Sequence, residues 1–160
     1  MRLRSFIWGA IVALGLRTLS VQLMTAKFRG DVAKLNDGDY GSLLGAYGED
    51  FVLHFNEGPH RWSGDWHGRS GMERFLEIFT AAGVQGEIKR VAVSGPPWAM
   101  TLWVRFDDHA DAPDGTRLYE NQTVLVLRTR FGKIVEQRDF YSDTARIVEF
   151  ERKLAASAAG

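Results

Sequence analysis

Asp139 and Tyr141 stand two residues apart in the run Lys133-Ile134-Val135-Glu136-Gln137-Arg138-Asp139-Phe140-Tyr141-Ser142-Asp143. Side chains on a strand alternate faces, so a strand here puts Val135, Gln137, Asp139, Tyr141 and Asp143 on one wall and Ile134, Glu136, Arg138 and Phe140 on the other. A carboxyl beside Val and Tyr has its charged form disfavoured by desolvation unless a cation is aimed at it. The run Trp103-Val104-Arg105-Phe106-Asp107 offers one, because Trp103, Arg105 and Asp107 share a face by the same alternation. If the two strands lie across one concave sheet, Asp139, Arg105 and Asp107 meet. A guanidinium between two carboxyls can hold them in opposite protonation states for general acid and base work. Charged alternation also marks solvated strand faces, so a structural salt bridge is the competing reading.

The elements that must position these groups follow the hydrophobic period. Ile7, Ile11, Leu14, Thr18, Val21, Thr25, Phe28, Val32 and Leu35 recur at spacings of three and four, which predicts one helix up to the turn residues Asn36-Asp37-Gly38-Asp39. Its first part, residues 1–20, is expected to be a helical extension and not a cleaved signal. Arg2 and Arg4 precede eleven apolar residues, short of the roughly 20 that span a bilayer, but the basic flank and apolar stripe suit contact with a membrane surface. A short helix up to Tyr47, with Asp39 as its cap and Gly48 as its stop, comes next. A strand over Phe51–Asn56 then carries His54 and Asn56 on its polar side.

Residues 57–69 read as a loop rich in Gly and Trp, either a lid or a plug, with Trp62, Trp66 and His67 as its bulk. Ser70 and Glu73 match a capping box for a helix that buries Met72, Phe75, Leu76 and Phe79 and stops at Gly83. Four alternating stretches, 87–94, 98–107, 117–128 and 133–141, predict consecutive antiparallel strands. The third brings Tyr119 and Asn121 to one face. Residues 144–154 read as a final helix and 155–160 as a disordered tail, leaving 21–154 as the single domain.

Composition narrows the chemistry. Twenty basic and twenty acidic residues cancel with no basic run, so nucleic acid is not an expected partner. The absence of cysteine excludes disulfides and thiolate sites, and four scattered histidines have no metal-ligand spacing. No metal or other cofactor is expected. Five Trp, ten Phe and four Tyr in 160 residues point to a cavity or a heavily aromatic core.

Together, Asn36-Asp37-Gly38-Asp39-Tyr40, Glu49-Asp50, Trp66-His67-Gly68, Tyr119-Glu120-Asn121, Gly132-Lys133-Ile134 and Asp143-Thr144, in this order over residues 21–152, resemble the nuclear transport factor 2-like superfamily, and within it the SnoaL-like group. The resemblance implies a conical α+β barrel, a strongly curved and mainly antiparallel sheet wrapped around a long N-terminal helix, commonly dimerised through the outer sheet face. Relatives include polyketide cyclases, ketosteroid isomerases, limonene epoxide hydrolases and cups with no known reaction. The hydrolases' Arg-x-Asp and Trp-Arg-Asp-Tyr-Phe-Asp motifs look like Arg105-Phe106-Asp107 and Gln137-Arg138-Asp139-Phe140-Tyr141. Their Asp-Arg-Asp triad falls on Asp139, Arg105 and Asp107. Their Tyr-x-Asn pair looks like His54-Phe55-Asn56, with His54 as the departure.

The expectation is therefore a cytoplasmic, homodimeric cup that holds a small apolar molecule, with possible membrane contact through residues 1–20. Asp139 would be the base and Asp107 the acid, with Arg105 between them, and His54, Asn56, Trp66, Trp103, Tyr119, Asn121 and Tyr141 would line the pocket. Epoxide hydration and enolisation or cyclisation are the reactions in view. The alternative is a binding or assembly module without chemistry.

Overall fold

The structure is a computed structural model that describes residues 21–158. The chain forms helix α1 over residues 21–36, α2 (Gly41–Leu44), β1 (Tyr47–Phe55), β2 (Gly64–His67), α3 (Gly68–Ala81), β3 (Gln85–Ser94), β4 (Thr101–Asp111), β5 (Arg117–Arg130), β6 (Lys133–Tyr141) and α4 (Thr144–Ala158). The six strands make one sheet in the order β2-β1-β6-β5-β4-β3. β1 and β6 run parallel, and every other neighbouring pair runs antiparallel. The sheet is mixed and mainly antiparallel, as the resemblance implies, and it is curved over the helices into a cone.

Two features shape that curve. Register shifts leave Lys89 of β3, Leu118 of β5 and Val135 of β6 without a partner on the neighbouring strand, which bends the sheet at those points. The Asn36 carboxamide also ties the end of α1 to edge strand β3. Its Nδ2 donates to the Gly86 carbonyl at 2.9 Å, and its Oδ1 accepts from the Gly86 N–H at 2.8 Å. Gly86 has to be glycine, since a Cβ there would lie 1.8 Å from Cζ of Phe106.

The concave face is apolar through most of its length. Phe51, Leu53 and Phe55 of β1, Leu102, Val104 and Phe106 of β4, and Leu125 and Leu127 of β5 are all buried on it. α1 covers this face with Val32 and Leu35, and α3 covers it with Met72, Phe75, Leu76 and Phe79. α4 closes one end. There Phe150 stacks on Trp62 at 5.9 Å and on Tyr119 at 4.8 Å, while Arg61 grips Glu151 through two bonds of 2.8 and 2.9 Å.

Local boundaries depart from expectation for local reasons. α2 stops at Leu44, and Tyr47 already belongs to β1, because Tyr47 is buried edge-on against Phe51 at 4.5 Å. The segment 57–69 is not all loop, since 64–67 pairs with β1 as β2 and Trp62 plugs the core. α3 begins at Gly68, directly off β2, so Ser70 lies inside the helix and the capping box does not form. α4 continues through residues 155–158, where a tail was expected. Phe131 (φ 47°) and Gly132 (φ 79°) make the two-residue hairpin turn between β5 and β6, which needs two left-handed residues. The extension 1–20 and residues 159–160 lie outside the described residues.

Candidate functional site

The strand faces sort the candidate residues into two groups. Tyr119, Asn121, Asp139 and Tyr141, from β5 and β6, lie on the concave side as their alternation requires. On β1 and β4 the face assignment is inverted. Burying the stripe Leu102-Val104-Phe106 turns Trp103, Arg105 and Asp107 outward, and burying Phe51-Leu53-Phe55 does the same to Val52 and His54. Arg105 and Asp107 face each other across the outer surface at 3.6 Å, and Asp139 meets neither. His54 bonds Asp65 at 2.9 Å on that same surface. Asn56 follows the end of β1 and is not part of the cavity wall around Asp139. Trp66 donates its indole N–H to the Trp62 carbonyl at 3.0 Å and packs edge-on against Phe75, so it supports the core.

What the concave face brings together is a different pair of acids. Asp108, the neighbour of Asp107, points inward from β4 and is only 3% exposed. Its Oδ2 accepts hydrogen bonds from both the Tyr119 and the Tyr141 hydroxyls, each at 3.2 Å. Its Oδ1 is buried without a partner. Asp139 follows on β6. Gln137 donates from Nε2 to Asp139 Oδ1 at 2.8 Å, and Tyr47 donates its hydroxyl to Gln137 Oε1 at 2.9 Å. Gln137 is thus held by a buried phenol and aims its amide at the carboxylate.

Asp139 and Tyr141 face a cavity walled by Phe28, Leu43, Met72, Phe75, Phe106 and Leu125, among others. A water-sized sphere can enter about 50 Å³ of it, room for a few waters. No Lys or Arg among the described residues is in this wall. Among the described residues there is also no cluster of His, Asp and Glu that could hold a metal ion.

The electrostatics follow from these surroundings. Burial pushes the Asp139 carboxyl from 3.8 up to about 7, opposed by the Gln137 hydrogen bond and reinforced by the charge of Asp108. Burial likewise raises Asp108 to about 7, while the Tyr119 and Tyr141 hydroxyls pull it back down. Tyr47, Tyr119 and Tyr141 are themselves raised, by burial first and then by the nearby acids, so they stay protonated as donors. Both carboxyls are therefore raised chiefly by burial, and the charge of Asp108 adds to the rise at Asp139.

Sequence reasoning missed Asp108, Tyr47 and Gln137. The signal for Asp108 was present in Leu102, Val104 and Phe106, a run of apolar residues at period two that continues onto Asp108 and marks it as core-facing. Gln137 was placed on the correct wall but given no role. Tyr47 gave no such signal, because it was read as the end of a helix.

With the cup and its acids described, the comparisons with known proteins place the fold. The SnoaL-like domain family matches residues 29–137, and the chain belongs to that family. Bal32a, from a soil-derived mobile gene cassette, is 21% identical with a TM-score of 0.64, covering 80% of this chain and 95% of its own. A nuclear transport factor 2-like protein of unknown function from Burkholderia pseudomallei is 19% identical, with a TM-score of 0.62 and coverage of 79% and 95%. TerC, co-crystallised with polyporic acid, is 19% identical with a TM-score of 0.60, covering 76% and 92%. No curated protein matches the chain. At these identities the solved structures speak for the fold alone, which is nuclear transport factor 2-like.

The raised carboxyls have a consequence for stability with a definite sign. A carboxyl whose folded pKa lies above its unfolded value stabilises the fold below the unfolded value, and that contribution is lost as pH rises through the folded one. Wild-type protein is expected to lose stability to urea between about pH 4 and about pH 8, and Asp139→Asn to lose on the order of 1–3 kcal/mol less over that range. Glu136 and Glu151, held low by hydrogen bonds from Arg138 and Arg61, lose their contributions on the acid side and stay outside this window. Parallel pH profiles for the two proteins would contradict the burial of Asp139.

Proposed function

We propose that this chain catalyses proton transfer on a small, largely apolar carbonyl compound without a cofactor, with Asp139 as the group that exchanges a proton with the substrate. The observation that carries this reading is a carboxyl, Asp139, set in an apolar cavity with Tyr141, whose hydroxyl bonds a second buried carboxyl, Asp108, that also accepts from Tyr119. Ionised Asp139 takes a proton from the carbon next to the carbonyl. The Tyr141 hydroxyl rests as a donor to Asp108 Oδ2; when Asp108 is protonated the bond reverses, Asp108 donating to the Tyr141 oxygen while the Tyr141 hydrogen turns to the developing enolate oxygen. Asp139 then returns its proton to another atom of the substrate, so the cycle ends with the protein unchanged. Isomerisation and ring closure both fit this sequence.

Epoxide hydration fits less well, because Arg105 and Asp107 sit on the opposite face of the sheet and no cation among the described residues lines the cavity. That a protein of this fold, TerC, was co-crystallised with polyporic acid supports reading the cup as a ligand site. Exchange of α-hydrogens in D2O, followed by NMR across a panel of cyclic and linear ketones, tests the proposal. Wild type is expected to accelerate exchange of at least one ketone, with a rate maximum near pH 7, and Asp139→Asn is expected to lower that rate roughly 10²-fold or more. Equal rates in the two proteins would remove Asp139 from the chemistry.

The second reading, an assembly module, draws on the convex face and is compatible with the first. Trp103 (41% exposed), Val124 (39%) and Phe140 (57%) form a continuous apolar strip there, since Trp103 pairs with Val126 and Val124 with Phe140 across β4, β5 and β6. An uncovered strip of this kind on a sheet face is suited to a second copy of the chain. Sedimentation is expected to show a dimer for wild type and a folded monomer for Val124→Lys combined with Phe140→Lys. A monomeric wild type would leave the strip without this role. Among the described residues no helix is long and apolar enough to cross a membrane, and the segment proposed to touch a membrane surface, 1–20, lies outside them.

A further inference from the structure

The cavity at Asp139 has room for the reacting end of a substrate but not for its whole body. About 50 Å³ is open to a water-sized sphere, whereas ligand sites commonly offer about 300–1,000 Å³. A second chamber of about 460 Å³ lies further along the same concave face, beneath the first described turns of α1 and near the hairpin ends of the sheet. Its wall is mostly apolar, with Met24, Val91, Met100, Leu102, Leu127 and Ile134. The polar groups at its edge have partners: buried Asp31 accepts from Lys27 at 2.5 Å and from the Ser42 hydroxyl at 2.6 Å, and the Lys133 ammonium donates to the Gly45 carbonyl at 2.6 Å. The space therefore suits an uncharged apolar group.

Among the described residues, Phe28 is the one that lines both spaces. It stands one helical turn from Met24, which faces the chamber, and one turn from Val32, which faces the inner cavity. Beneath it the floor is continuous. Leu127 in the chamber and Leu125 in the cavity are successive inward residues of β5, about 7 Å apart, and Leu125 pairs across the sheet with Asp139.

We propose that the chamber under α1 holds the unreactive apolar body of the substrate, and that the Phe28 ring is the partition its carbonyl end must pass to reach Asp139. This rests on the proton-transfer reading for what happens at Asp139, but the binding it describes does not require turnover. The substrate class it names is an elongated, uncharged molecule with a carbonyl at one end and a hydrocarbon chain or ring at the other. Phe28 then sets how far that end penetrates.

The test uses full-length protein with ¹³C-methyl methionine and 2-decanone as the probe. Met24 and Met100 report on the chamber and Met72 on the inner cavity. The probe is expected to shift the Met24 and Met100 methyl signals. Thr25→Trp, which fills the chamber from the half-exposed face of α1, is expected to weaken binding at least tenfold with an unchanged melting temperature. Phe28→Leu, which shortens the partition while keeping an apolar residue, is expected to enlarge the response of Met72. Unmoved Met24 and Met100 signals, or undiminished affinity in Thr25→Trp, would overturn the proposal. Asp139→Asn is expected to bind 2-decanone as wild type does, so lost turnover with retained binding bears on the proton-transfer reading, while Asp139-dependent exchange with silent Met24 and Met100 counts against the chamber.

Discussion

A carboxyl can sit on the apolar concave face of a sheet only if it finds hydrogen-bond donors or gives up its charge, and Asp139 and Asp108 meet that condition as a pair. Tyr119 and Tyr141 converge on one oxygen of Asp108, and Gln137, held by Tyr47, serves Asp139. None of these partners carries a positive charge, so the partners stabilise the ions only in part and both acids stay poised near neutrality. The surrounding architecture protects this condition. α1 and α3 supply the apolar wall in front of the half-buried Asp139, and the Trp62, Phe150 and Tyr119 stack closes the end of the cup beside Asp108.

Most of the frame was legible in the sequence because it depends on period. The four strands from β3 to β6, the helix stripe of α1 and the buried face of α3 all follow from alternation or three-and-four spacing. The faces of β5 and β6 were legible for the same reason. β1 and β4 were not, because each carries polar residues of catalytic type on one face and an apolar stripe on the other. Choosing the polar face as the pocket reversed what burial requires. The polar residues that face into this cup are the rare ones within the apolar stripe, such as Asp108 after Leu102, Val104 and Phe106. The pairing of Tyr47 with Gln137 spans 90 residues and joins a bulged part of β1 to β6. No local pattern announces a contact that depends on tertiary register.

The two faces of the sheet divide the labour. The convex side places Arg105, Asp107, His54 and Arg138 in solvent-facing ion pairs around an apolar strip, where charges are worth little individually. The concave side keeps few charges and makes each one matter. Membership of the SnoaL-like family accounts for the shape of the cup and assigns no reaction by itself. Here the groups inside it are two acids, three phenols and a carboxamide, with no cation among the described residues around Asp139. The proposal of proton transfer rests on that set.

The central claim is that burial holds both Asp108 and Asp139 far above the ordinary carboxyl range. Carboxyl-carbon NMR of the aspartate side chains across the pH range tests it without any substrate. Both signals are expected to have midpoints near 7, and Asp108→Asn is expected to lower the midpoint of Asp139. Midpoints in the ordinary range near 4, unmoved by that substitution, would contradict the account.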